Sequence, residues 1–572
     1  MGGSVSTSAT GGYDAVVIGA GLGGLSTAAF LAANGRRPLV LEQNQVVGGC
    51  SQVFRRRGNN YEFDVGVHYI GDCAPGGTVD LLMRSLALED RVEFAQLDPD
   101  GFSTITLPTV TFRVPRGWQE YEDRLVGTFP EQEDGIRRCV RTLRTVAEEI
   151  RSDRTESLRH AVARVGSLRS LLWWGLRPLA RLYDACGLSQ EVRTVIAGES
   201  GDYALPPSKA PVALHAGFLD HYLKAGAYYP KGGGQVIAAR LTEVIQAHGG
   251  TVRTKARVRR ILLERGAAVG VELVDGEQVR APAVVSNADI RRTYLELVGA
   301  ESLPRRLRRK VEGFRMALPL FSLYLAVDFD VRERLPNSTA WIYPHADMEA
   351  MYADAHAGRL PAQVPVFMTS GTLKDPDGDH TAPPGHSTLE LMTIAPARHD
   401  AWGVGEGPVA GERYSRTPSY LATKEKLAEA VLDTATMVIP DLREHIVYQD
   451  ASTPVTQERF TLSSGGACYG LEMTIDQLGP FRPDVATSIP GLYLAGASTK
   501  HQHGIVATLK GGAGTAGAIL GRDLFAEMRA GAVYVDPSRL PADPPEWDPL
   551  VVAKPGSPIR RTPRRPGRSW NH

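Results

Sequence analysis

The chain has 572 residues, 43% apolar and 22% charged, the balance of a globular protein rather than a fibrous or disordered one. Lys plus Arg and Asp plus Glu each number 64, so the formal net charge is zero, which argues against a general nucleic-acid binder. Five Cys (Cys50, Cys73, Cys139, Cys186 and Cys468), with no Cys-x-x-Cys, exclude a disulfide scaffold, a zinc ribbon and a thioredoxin-like site, and point to a reducing compartment.

Residues 1–12 are rich in Gly, Ser and Thr, lack the basic region of a signal peptide, and are predicted disordered. The uncharged run 15–35 is long enough to suggest a membrane span, but Gly19, Gly21, Gly23 and Gly24 cut it into pieces. Those pieces read as a buried strand (14–18) and a helix (22–34), with the next strand at 38–41. Residues 120–225 are mostly helical in pattern. A helix is predicted at 232–249, ending at Gly249-Gly250. A β-rich stretch at 251–274 follows, with a turn at Asp275-Gly276 and a strand at 283–286. Residues 315–400 alternate apolar strands (318–327, 364–368 and 388–393). Later come a short strand at 491–494 and a helix from about Gly504 to Phe525.

The fold class is therefore α/β (α+β overall): a discontinuous Rossmann-like domain beside a mixed sheet-and-helix domain. The nucleotide-binding domain takes segments 13–95, 226–298 and 456–530. The second domain takes 96–225, mostly helical, and 299–455. The end, 541–572, is rich in Pro and Arg (Arg560, Arg561, Arg564, Arg565, Arg568). It is predicted to be a disordered, solvated tail, with weak contact to anionic lipid as the alternative.

The sharpest motif is Gly19-Ala-Gly21-Leu-Gly-Gly24, a G-x-G-x-x-G between strand and helix, with Glu42 at the end of the second strand. Gly19 allows the tight turn, Gly21 admits a pyrophosphate to the backbone, and Gly24 lets helix and strand close up. The helix N-terminus adds partial positive charge, and Glu42 can accept hydrogen bonds from a ribose. FAD and NAD share the adenosine half, so this turn does not choose between them. Gly48-Gly49 suggests a second close approach further along a dinucleotide, and no second well-placed motif supports a separate NADPH site.

Gly48-Gly-Cys-Ser-Gln-Val-Phe54 with Tyr61-Glu-Phe-Asp-Val-Gly-Val-His-Tyr-Ile-Gly71 resembles the FAD-dependent phytoene desaturase superfamily. The His-Tyr-Ile-Gly ending is most similar to the retinol saturases and their bacterial relatives. His221–Gly233, Val284–Ala288, Gly466-Ala-Cys-Tyr-Gly470 and Ile489–Gly496 agree in the same order. The resemblance implies FAD in the three-segment domain and a neighbouring domain for a hydrophobic polyene. It implies that Gly19, Gly21, Gly24, Glu42, Gly48, Gly49 and Val258 hold the ADP half, and that Gly496, Gly504 and Ile505 lie at the flavin end. The segment Ala497-Ser-Thr-Lys-His-Gln-His-Gly504 carries more charged and imidazole groups than the saturase pattern.

Hydride transfer at a C=C needs placement of the flavin and one group that handles a proton. His501 and His503, near the expected flavin, are the candidates, with Tyr469; capping or lining the helix start is the alternative. A zinc site from the two His lacks a third ligand. His68 and Tyr69 are expected near the cofactor, either in packing or against substrate. Tyr228, Tyr229 and Lys231 either line the substrate tunnel or fix a turn. Residues 164–181, with Trp173 and Trp174 among Arg164, Arg169, Arg177 and Arg181, read as an amphipathic helix for a membrane surface or as a packed lid.

These readings predict an FAD-dependent, saturase-like oxidoreductase acting on C=C bonds of a carotenoid, retinoid or other polyene, with an unidentified electron donor or acceptor. Desaturation, cis–trans isomerisation and reductive cyclisation fit the same scaffold. Amine oxidation and non-catalytic flavin or lipid binding are rivals. The expected location is cytoplasmic, with peripheral membrane contact through 164–181.

Overall fold

A computed structural model describes residues 12–56, 58, 60–153 and 168–555. Two sheets organise it. The first is five-stranded and wholly parallel, in the order Thr251–Arg253, Pro38–Leu41, Ala15–Ile18, Ala283–Ser286, Leu492–Leu494. Its strands come from three distant parts of the chain. The three central strands are buried at every position, as a sheet covered on both faces requires.

Helix Leu22–Ala33 packs between Gln235–Ala247 and Ile505–Leu520. Small residues bring the first and last of these together. A Cβ on Gly512 would lie 2.6 Å from the Gly23 carbonyl oxygen, and Ser26 Oγ donates to the Leu509 carbonyl at 2.7 Å. That approach places two helix N-termini, at Gly21 and Gly504, on one side of the sheet. The β-rich stretch after 251 forms a separate antiparallel sheet of Val258–Glu264, Ala267–Leu273 and Gln278–Arg280, with Gly276 (φ +91°) in its turn.

The second large sheet has seven strands: Ile446–Ser452, Leu320–Val327, Ser387–Ile394, Val366–Thr369, Thr339–Ile342, Ser103–Leu107 and Val110–Val114. All pairs are antiparallel except Thr339–Ile342 with Ser103–Leu107. Strand alternation divides its faces. Phe321, Leu323, Leu325, Leu389 and Leu391 pack against Val431 and Leu432 of helix Pro418–Ala435. Leu320, Ser322, Tyr324, Met392 and Ile394 face the other way, toward a cavity. Helices Trp118–Thr128, Leu179–Cys186 and Val212–Ala225 share a core with this sheet through Phe102, Trp341 and Phe367.

The segment 96–225, mostly helical, opens with the hairpin of Ser103–Leu107 and Val110–Val114, which completes the sheet edge. Two expectations are corrected. Residues 168–181 do not form one helix: Arg169–Trp174 ends at Gly175, and a new helix starts after Pro178, which has no N–H to continue the ladder. The predicted disordered tail is packed as far as residue 555. Arg55 forms a two-point ion pair with Asp548 (2.6 and 3.0 Å), Asp543 binds Arg240 (2.6 and 2.7 Å), and Trp547 donates to Glu243 (2.9 Å) beneath the Arg240 guanidinium. The predictions for 1–11 and 556–572, and for 164–167, lie outside the described residues. Among the described residues no helix is long and apolar enough to cross a membrane.

Candidate active site

A cavity of about 1480 Å³ opens where the two helix N-termini meet the carboxyl ends of the parallel strands. Gly19 (φ +92°) makes the turn out of the first strand. Gly21 pairs in a short parallel bridge with Gly48, whose N–H donates to the Ala20 carbonyl at 2.7 Å. A Cβ on Gly49 would sit 3.0 Å from Gly21 Cα, and one on Gly24 only 2.2 Å from the Gly19 carbonyl oxygen. The Gly-Gly after the second strand is thus the second wall of the first motif.

Glu42 is buried; its carboxylate accepts from Ala20 N–H (2.9 Å) and Asn44 N–H (2.8 Å). Burial pushes its pKa up, partly offset by those bonds. Val258, Gly496, Gly504 and Ile505 line the same cavity.

One residue absent from the expected set ties these pieces together. A Cβ on Gly21, Gly23 or Gly496 would fall 2.8, 2.7 or 2.5 Å from Asn287 side-chain atoms, so one amide fills the space three glycines leave. Its signal was its place directly after strand Ala283–Ser286.

The site fits FAD. Helices Leu22–Ala33 and Ile505–Leu520 both begin on this cavity without a side-chain cap, leaving their first N–H groups for an anion or an electron-rich ring. The glycine backbone between them accommodates an extended pyrophosphate.

A narrow arm of about 120 Å³ runs from this cavity to the face of the seven-stranded sheet. Trp341, Phe367, Met392 and Ile394 make it apolar; Cys50, Tyr324, Cys468 and Tyr469 line both spaces.

The expected chemistry residues divide. His503 lies on the large cavity with its ring 4.7 Å from that of Tyr469. Its Nε2 is 2.9 Å from the Asp202 carbonyl oxygen, and its Nδ1 is buried without a partner. Burial, helped by Arg482, lowers its pKa to about 4. His501 is not on either cavity wall; its ring lies along the glycine face of helix Ile505–Leu520, where a Cβ on Gly514 would be 3.0 Å from Nε2.

His68 lines the arm with neither ring nitrogen bonded, and burial beside Lys374 holds its pKa well below normal. Tyr228 and Tyr229 line neither space. Strand Ala227–Pro230 pairs with Ile70–Gly71 and Phe94–Gln96, so these tyrosines fix a sheet. The Tyr229 hydroxyl donates to Asp64, while Lys231 pairs with Glu93 at 3.2 Å.

Behind His68, fully buried Lys374 donates to the His68 carbonyl and to Thr369 Oγ1, both at 2.6 Å. Burial brings its pKa down to about 8, against the pull of Glu390 and Asp64.

The arm also holds an unexpected acid. Asp202 ends the turn Ser200–Asp202 and accepts a hydrogen bond from Tyr69, while Glu199 of the same turn is buried beside it. The signal was present as two acids, Glu199 and Asp202, in a stretch without basic residues from Ile196 to Leu205.

A Rossmann-like sheet, a glycine-lined dinucleotide cavity and an apolar arm define an FAD-dependent oxidoreductase. The chain belongs to the flavin-containing amine oxidoreductase family, which it matches over residues 22–520. It is 29% identical to human all-trans-retinol 13,14-reductase over 560 residues, 90% of this chain and 87% of that protein. It is 27% identical to prolycopene isomerase 2, chloroplastic, of an Oncidium hybrid cultivar, over 86% of this chain and 81% of the relative. In fold it is similar to an oxidoreductase from Methanosarcina mazei of known structure, with TM-score 0.60 at 19% identity, covering 89% of this chain and all of the other.

Proposed function

We propose that this protein reduces a carbon–carbon double bond of a hydrophobic polyene. The observation that carries this reading is the arm walled by Trp341, Phe367, Met392 and Ile394 and open to the dinucleotide cavity. At about 120 Å³ it takes one end or a short stretch of a slender chain, with the rest continuing into the larger space. Flat conjugated chains suit aromatic and thioether walls. Relatives named for a retinol reductase and a prolycopene isomerase support the same class of substrate.

Bound FAD supplies hydride chemistry at a carbon centre. Gly19, Gly21, Gly24, Gly48, Gly49, Glu42 and Val258 hold its ADP half, and Gly496, Gly504 and Ile505 its flavin half. Asn287 fixes the backbone on which both halves rest. The side chains of the arm exclude water and orient the polyene, with Tyr469 and His503 at the junction. His501 stabilises a helix rather than touching the reacting bond.

Entry from a membrane surface fits the tip at 168–177. Leu172, Trp173 and Leu176 are more than half exposed, and the Arg177 guanidinium stacks 3.7 Å from the Trp173 ring.

The test is anaerobic. The purified flavoprotein is reduced, retinol or another conjugated polyene is added, and flavin and polyene absorbance are followed together. Reoxidation of flavin with a blue shift of the polyene is expected. Isomerised polyene with the flavin still reduced would sink saturation in favour of isomerisation, and peroxide release with amines in a separate aerobic assay would sink the polyene reading altogether.

A further inference from the structure

The chain carries a second candidate for proton transfer, outside the His501–Gly504 segment. We propose that Asp202 is the proton-donating residue of this site, giving its carboxyl proton to one carbon of the double bond from the wall of the apolar arm. This rests on the double-bond reading above.

The geometry fixes Asp202 from several sides. Its carboxyl oxygen Oδ2 accepts the Tyr69 hydroxyl, and its main-chain oxygen faces His503 Nε2 at 2.9 Å. The turn it ends is held by Ser200, whose hydroxyl is 3.2 Å from that of Tyr352, and by Gly201, where a Cβ would strike the Trp341 ring at 2.4 Å. Asp202 lines the same arm as Phe367 and Met392. A rigid acid on an apolar wall is what protonation of a carbon needs, because water cannot compete there.

His503 cannot take this role as it stands. A carbonyl oxygen only accepts, so His503 Nε2 carries the hydrogen toward Asp202, and Nδ1 is a bare acceptor. Burial keeps the ring neutral, so it has no spare proton to give.

Several groups face Asp202. Glu199 belongs to its own turn and Tyr203 adjoins it. Tyr69 follows the strand Tyr61–Asp64, Tyr222 comes from helix Val212–Ala225, and Tyr352 from helix Met348–His356. Tyr469 and His503 approach from the flavin end, where Arg482 acts on His503. Burial raises Asp202 to about 7, moderated by the Tyr69 bond, and raises Glu199 to about 8, with Asp202 adding to the effect. A donor poised near neutrality combines availability with driving force.

The atoms balance. The π bond opens, one carbon gains hydrogen with the electron pair of the hydride that reduced FAD supplies, and the other gains the Asp202 proton. The double bond is reduced by two electrons and the cofactor is oxidised by two. Asp202 is left as a carboxylate, which Tyr69 stabilises until a proton returns from solvent.

Two readouts test this. In the anaerobic reoxidation of reduced flavin by a polyene, the wild-type rate should fall as pH rises through about 7, since the acid must be protonated. Asp202→Asn should lower that rate by at least about 100-fold while leaving flavin occupancy and melting temperature near wild type. Tyr69→Phe removes a bond that stabilises the carboxylate, so the alkaline limb of its remaining activity should move to higher pH, a shift that a merely structural residue would not produce.

Independently of turnover, the infrared difference between the E199Q and E199Q/D202N proteins should contain one protonated-carboxyl band that titrates near neutrality. Turnover of D202N within a few-fold of wild type, or an infrared titration unaltered by D202N, overturns the assignment. If wild type reduces no polyene, the double-bond reading fails and the assignment falls with it. If wild type and D202N both do, only the assignment falls.

Discussion

The cofactor cavity and the apolar arm share a wall but are built in opposite ways. The cavity is made of backbone: Gly19, Gly21, Gly48 and Gly496 lie where a Cβ would collide with a neighbour or where φ is positive. The arm is made of side chains from at least five separate stretches, among them His68, Asp202, Trp341, Phe367 and Met392. A backbone site tolerates almost no change at its glycines, because nothing can move aside. A side-chain site can be reshaped one residue at a time, which suits a scaffold that serves several polyene reactions.

The largest effect should come from the backbone side. Gly21→Val would drive its side chain into Asn287, whose Nδ2 already lies 2.8 Å from where a Cβ would be. Bound flavin should be lost, as read from the visible spectrum after gel filtration; full occupancy would overturn the placement of the cofactor.

Next is the charged layer beneath the arm. Lys374→Met removes the cation that buried Asp64 and Glu390 face, so it should destabilise the holoprotein, and more so as pH rises through about 8 and Glu390 ionises, measured by denaturant unfolding at about pH 7 and about pH 9. A loss independent of pH would mean that Lys374 acts by packing alone.

The C-terminal strap sharpens the contrast, since Leu550 and Lys554 line the cofactor cavity. Stopping the chain after Leu540 should weaken FAD binding by about tenfold, or about 1.4 kcal/mol, by titration of the apoprotein. An unchanged affinity would show the strap to be packing alone.

Smaller still, His503→Ala should lower kcat by about tenfold by releasing the Asp202 turn, whereas His501→Ala should leave kcat unchanged. Equal effects of the two would erase the distinction between them. Trp173→Ala should change stability by less than about 0.5 kcal/mol, because the ring is exposed, yet reduce flotation with anionic vesicles. Equal flotation of wild type and variant would remove the membrane reading.

Much of the cofactor site was legible because its physics is local. A strand, a G-x-G-x-x-G turn and a helix occupy consecutive residues, and Glu42 and Gly48-Gly49 follow within one further strand. The strand Pro38–Leu41 matches its sequence assignment at both ends, since its buried apolar run is bounded by charge. His501 and His503 were equivalent by spacing. Both precede the helix that starts at Ile505, but Gln502 between them has φ +74°, and only His503 lines the cavity. The strap was misread because Pro-rich composition is typical of disorder, while its order depends on Arg55, Arg240 and Glu243, more than 300 residues away. Asp202 was passed over for a similar reason. A carboxylate in a helical stretch reads as solvated surface until the fold closes Tyr69, Tyr222 and Tyr469 around it.

By itself, then, the sequence determined the dinucleotide turn and the parallel strands, because those depend on backbone conformations that glycine and short apolar runs specify locally, while FAD in particular came from resemblance. Only the tertiary structure decided which imidazole meets the cavity, which acid is held near neutrality and how the chain end packs against the cavity wall. Burial and electrostatic environment belong to the whole packed assembly, and contacts across hundreds of residues leave no periodic trace in the chain.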